Sequence, residues 1–81
     1  SYGQPAARVV KKEQYSEAID MFSKCVEIDE LNYKYNSIIY FNMALCFNKM
    51  KKNEDALKCL NKAITFNPKY AKAYYKRGEI N

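Results

Sequence analysis

The strongest constraint on this 81-residue chain is that it resembles itself at a nearly fixed offset. A shift of 38 residues lays Glu17-Ala18-Ile19 on Asp55-Ala56-Leu57. It also lays Phe22 on Leu60, Lys24 on Lys62, Cys25 on Ala63 and Ile28 on Phe66. A shift of 34 lays Tyr40 on Tyr74, Asn42 on Lys76 and Ala44 on Gly78. A repeat of this length that holds two helical patterns describes helix hairpins stacked in a row, each burying its apolar face against the next.

The apolar spacing supplies the helices. Ala18, Ile19, Phe22, Cys25, Val26 and Ile28 recur at helical period. They predict a helix from Tyr15 to about Glu30, with Ser16 as its N-cap and Glu17 in its first turn. Residues 31–36 read as a polar connector or lead-in. From Ser37 to Met50 the apolar positions nearly encircle the axis, which predicts a helix sandwiched between neighbours. Ile38–Phe41 has strand propensity, but fourteen residues without a breaker favour helix. Lys51-Lys52-Asn53 reads as a turn with Asn53 as N-cap. The next helix ends before Pro68, and a last one starts near Tyr70. Residues 1–14 read as a weak or altered N-terminal helix or a tag remnant, with Pro5 suited to a first helical turn.

The repeated positions have a packing logic. Ala18 and Ala56 are expected where two helices of a hairpin cross, and Ala44 and Gly78 at the same place on the opposite helices, because small side chains let backbones approach. Tyr40, Phe47, Phe22 and Leu60 are expected to fill the space between units.

Composition narrows the chemistry. There is no His, no nucleophile elbow, no phosphate loop and no metal-ligand cluster, so an enzyme, a cofactor and a metal site are not expected. Cys25, Cys46 and Cys59 lack redox or metal spacing and read as reduced core fillers of an intracellular protein. No stretch is long enough for a membrane span, and no secretory leader opens the chain. The net charge of +5 permits acidic partners, and with eight tyrosines it would permit RNA, but the tyrosines fall mostly at repeat-core positions.

The middle unit reads Tyr40-x-x-Met43-Ala44-x-x-Phe47, then Ala56-x-x-x-Leu60, Ala63 and Pro68. This resembles the tetratricopeptide repeat family, whose pattern is aromatic-x-x-Leu-Gly-x-x-Tyr, then Ala-x-x-x-Phe, then Pro. The resemblance implies an all-α fold, a right-handed superhelix of antiparallel helix hairpins. It divides the chain into the second helix of one repeat at 15–30, a full repeat at 37–70 and the first helix of the next at 71–81. Two departures stand out. The spacing between the first two units is four residues too long, with Glu30 where the pattern has Pro, and the extra residues, around Leu31–Asn36, are expected to lengthen a helix or loop. The first helix of the first unit is also poor, with Ala6 and Ala7 where the family usually has Gly and a polar residue.

The family binds protein or peptide ligands along a concave wall lined by the first helix of each unit. On that logic Phe41, Asn42, Leu45, Asn48 and Lys49 face the groove from the middle unit, and Lys72, Tyr75, Lys76 and Glu79 from the last. One subset of the family grips the C-terminal acidic tails of heat-shock chaperones with a clamp of Lys, Asn and Arg. Carried over by position, Asn42 matches the clamp's middle Asn, and Lys72 and Lys76 its last pair, with Lys in place of Arg. Gly3 and Ala7 stand where its first Lys and Asn would be. The segment from Ala71 to Gly78 is similar to co-chaperones that join such repeats to a J-domain. The implied role is a cytoplasmic peptide-binding co-chaperone. The alternatives are a structural scaffold that self-associates through an open C-terminal end, where Tyr74 and Ile80 would lie exposed, and, less favoured, an RNA-binding helical repeat.

Overall fold

A computed structural model describes residues 12–81. Among these residues the chain is all-α, with α1 over Lys12–Ile28, α2 over Tyr33–Lys49, α3 over Asn53–Phe66 and α4 over Ala71–Ile80. Helices α2 and α3 form the central hairpin; α1 packs against α2 and α4 against α3. The segment Ile38–Phe41 is helical, as its unbroken context required.

The hairpin closes on small residues. Ala44, Ala56, Leu60 and Ala63 are wholly buried. On α3, Ala56, Cys59, Leu60 and Ala63 form one i, i+3, i+4, i+7 stripe, while Glu54 and Asp55 occupy the first turn, where the helix dipole favours acids. Alanine at the crossing lets the two backbones approach, and Leu60 fills the space beside it. Burying a leucine this completely contributes about 1.5–3 kcal/mol. Ala73 of α4 is also wholly buried and belongs to the same core. Ile19, Phe22, Cys25 and Val26 of α1 pack on it from the other side, half exposed.

Several boundaries differ from the sequence reading, each for a local reason. Helix α1 already includes Lys12, so Ser16 lies within it rather than capping it; Lys12, Glu13 and Gln14 are good helix formers, with Glu13 in the first described turn. The readings placed on residues 1–11, including Pro5 and the clamp positions Gly3 and Ala7, lie outside the described residues. Of the two readings of residues 31–36, the lead-in holds: Tyr33 to Asn36 form the first turn of α2. Asn32 caps α2 by accepting a hydrogen bond from the Tyr35 N–H at 3.2 Å, so the four extra residues become an added helical turn. That turn is anchored. Asn36 is buried and donates from Nδ2 to the Asp29 carbonyl at 2.8 Å, and the Tyr33 ring stacks on Phe66 with centroids 5.5 Å apart.

Asn53 is the first helical residue of α3 instead of its cap, which is Lys52. The turn is tighter than expected because Lys51 adopts a left-handed conformation, with φ 63°. The Asn53 side chain instead accepts a hydrogen bond from Asn48 Nδ2 at 3.3 Å and ties the two helices together. Ile28, expected on the apolar face of α1, is exposed at the helix end, and Ile80, expected to be exposed, packs against the core. Gly78 has nothing within 4 Å of where a Cβ would stand, so no helix crosses it among the described residues.

Candidate functional site

Helices α2 and α4 present side chains to one another across the edge of the hairpin. Phe41 and Leu45, one turn apart on α2, meet Ala71, Lys72, Tyr75 and Lys76 of α4 around a cavity of about 440 Å³. Its register follows from helix geometry. Lys72 and Lys76 are separated by four residues and lie on one face, as do Ala71 and Tyr75. Pro68 ends α3, and the bend through Asn67–Tyr70 sets the direction of α4. Asn67 Oδ1 accepts from the Lys69 N–H at 3.2 Å, and the Tyr70 carbonyl accepts from the Ala73 and Tyr74 N–H groups. The Phe41 ring packs on Tyr70 with centroids 5.2 Å apart, joining α2 to the start of α4. Burial pushes the Tyr70 phenol above its ordinary range, so it is a neutral aromatic wall at physiological pH.

The lining is largely carbon, with two cations. Lys72 is exposed and makes no contact with an acid among the described residues. Lys76 is less exposed and pairs with Glu79, Nζ to Oε1 3.4 Å. A half-exposed pair one turn apart contributes only a few tenths of a kcal/mol, so Glu79 restrains Lys76 without sequestering it. Tyr75 is 72% exposed, a large ring left open to solvent beside these amines. Such a surface can take an extended acidic segment, with apolar side chains against Phe41, Leu45 and Tyr75 and carboxylates against the lysines.

Of the residues singled out from sequence, the cavity gathers Phe41, Leu45, Lys72, Tyr75 and Lys76. Asn42 and Lys49 lie on α2 outside its lining; Asn42 is half-buried and Lys49 exposed, and neither side chain has a partner among the described residues. Ala71 was not singled out, although its position one turn before Tyr75 was a usable signal. A second cavity, of about 270 Å³, lies at the α1–α2 corner between Cys25, Ile28, Asp29, Asn32 and Tyr35. It was not foreseen because it depends on how the added turn folds. None of the described helices is long and apolar enough to cross a membrane.

Comparison with known proteins agrees with the architecture. Two tetratricopeptide repeat models match, one over residues 37–70 and the other over residues 10–30. The chain is 31% identical over 77 residues to "Heat shock protein STI1" of Saccharomyces cerevisiae, covering 95% of this chain and 13% of that protein. It is 38% identical over 68 residues to "RNA polymerase II-associated protein 3" of Xenopus tropicalis, 84% of this chain and 10% of that one. It is 29% identical over 66 residues to "Hsp70/Hsp90 co-chaperone CNS1" of Saccharomyces cerevisiae, 82% of this chain and 17% of that one. The chain thus spans less than a fifth of the length of each of these relatives. No solved structure gave a significant match. With the hairpin, its alanine crossing and two matching models in agreement, the chain belongs to the tetratricopeptide repeat family.

Proposed function

We propose that this chain is a protein-interaction module that holds the acidic C-terminal tail of a heat-shock chaperone in the α2–α4 groove. One observation carries the reading: two lysines a single turn apart line a cavity whose other walls are Phe41, Leu45, Ala71 and Tyr75. A peptide terminus that ends in an aspartate presents two carboxylates, and converging amines beside an apolar wall suit it. Asn42, half-buried on α2 and without a partner among the described residues, supplies an amide donor along the same helix. Lys in place of Arg forgoes bidentate geometry, so the grip is modest. Two relatives, a heat-shock protein and an Hsp70/Hsp90 co-chaperone, support the same class of partner.

A titration tests this. A fluorescent peptide ending in Glu-Glu-Val-Asp should bind, and Lys72→Ala with Lys76→Ala should weaken it about tenfold or more, a loss of about 1.4 kcal/mol. Glu79→Gln, which frees Lys76, should tighten it. Equal binding of the C-terminal amide, or no loss in the double variant, would remove the proposal.

A further inference from the structure

The α1–α2 corner has the opposite character to the groove. Between Lys24 and Lys34 the chain carries Glu27, Asp29 and Glu30 and no cation, although the net charge is +5. The last turn of α1 contains no basic residue, so the negative end of its dipole is uncompensated there. Apolar side chains crowd the same corner in solvent: Ile28 is 84% exposed, Leu31 79% and Tyr35 51%. Helix packing among the described residues does not account for them, since the added turn is already anchored through Asn36 and Tyr33. Between them lies the 270 Å³ cavity, walled by Ile28 and Tyr35 and edged by Asp29 and Asn32.

We infer that this corner is a second docking site, one that takes a basic side chain on an apolar segment of a partner protein. The aliphatic stem of an arginine or lysine fits between Ile28 and Tyr35, and its cation meets the Asp29 carboxylate and the electronegative end of α1. Flanking apolar residues of the partner cover Leu31. Asn32 is committed through Oδ1 to the Tyr35 N–H, so the wall is pre-formed. This site is independent of the α2–α4 groove and shares no residue with it. A partner carrying both a basic-apolar segment and an acidic tail would engage the two together and gain avidity.

The probe is the peptide Ala-Leu-Arg-Leu-Ala, acetylated and amidated so that it has no free carboxylate, titrated into the full chain and followed by backbone amide NMR. Shifts should concentrate between Cys25 and Tyr35. Asp29→Asn, which keeps the backbone carbonyl that Asn36 uses, should weaken binding about fivefold, and replacing the peptide's Arg by Gln should match that loss. Lys72→Ala with Lys76→Ala should leave it unchanged. Shifts centred on Phe41 and Tyr75, indifference to Asp29→Asn, or an equally strong Gln peptide would each overturn the assignment.

Discussion

Helices α1 and α3 align with one another at a shift of 38 residues, yet they are buried very differently. Under the 38-residue shift, Ala18 corresponds to Ala56, Phe22 to Leu60 and Cys25 to Ala63. On α3 those positions are wholly buried, while on α1 they are only partly so, and α1 has no fully buried residue. The next pair diverges further: Phe66 stacks on Tyr33 and packs against Tyr40, whereas Ile28 stands in solvent. The side chains are of similar kind, so the difference comes from neighbours. Among the described residues α3 packs against both α2 and α4, whereas the main helix contact of α1 is with α2. In a stacked array, burial belongs to the interface between units more than to the residue, and stability should concentrate where both interfaces exist.

The largest expected effect tests that concentration directly. Leu60→Ala removes a wholly buried side chain between two helices that cannot collapse into the gap, and should cost about 3 kcal/mol in urea unfolding. Phe22→Ala, at the equivalent position, loses a larger side chain but should cost only about 1–2 kcal/mol, because part of that ring is already in water. Equal losses would mean that α1 is as tightly held as α3 and would dissolve the comparison.

The same register gives a chemical contrast of intermediate size. Cys59 on α3 corresponds to Met21 on α1, which is 66% exposed. Burial, reinforced by the nearby Asp55 carboxylate and opposed by Lys62, pushes the Cys59 thiol from 9.0 up to about 11. The unfolded thiol therefore ionises before the folded one. Stability is unaffected below about pH 8.5 and falls as pH rises through the window from 9 to 11, at up to about 1.4 kcal/mol per pH unit. Cys59→Ala should remove that part of the alkaline slope. In alkylation at pH 8, Cys59 should react last, after Cys25, which lines the open corner cavity. A cysteine placed at the exposed position, Met21→Cys, should react fastest; if it reacts as slowly as Cys59, the two helices are equally buried.

Much of this was legible from spacing. The alanines at 44 and 56, the apolar stripe from Ala56 to Ala63 and the helix breaker at Pro68 are all local signals, and the helices formed where they pointed. Lys72 and Lys76 share a face because four residues is about one helical turn, which needs no tertiary information. What was not legible depends on contacts between distant residues. Residues 31–36 are polar and mixed and fit either a connector or a helix lead-in; Tyr33–Asn36 are helix because Asn36 finds the Asp29 carbonyl and Tyr33 finds Phe66 thirty-three residues away. The Lys76–Glu79 pair was within reach of sequence reasoning at i, i+3, but whether such an exposed pair forms is decided by fractions of a kcal/mol.

The smallest expected effect extends the comparison to the connections on either side of α2. The corner before α2 is held by a buried side chain, Asn36, whereas the turn after it rests mainly on backbone, with a single exposed side-chain bond from Asn48 to Asn53. The Lys52 N–H donates to the Phe47 carbonyl and the Lys51 N–H to the Asn48 carbonyl, both at 2.9 Å. These two bonds form the helix-ending motif in which the residue just past the cap must be left-handed, a position usually filled by glycine. Here it is Lys51 at φ 63°, and a Cβ in that conformation costs about 1 kcal/mol. Lys51→Gly relieves that cost but gives the unfolded chain more freedom, so the net gain should be about 0.5 kcal/mol. Lys51→Val, whose branched side chain tolerates the conformation least, should lose about 1 kcal/mol. Thermal unfolding of the two variants should therefore bracket the parent chain. If both variants destabilise, the Lys51 side chain contributes a contact that outweighs its strain, and the second turn, like the first, is held by a side chain.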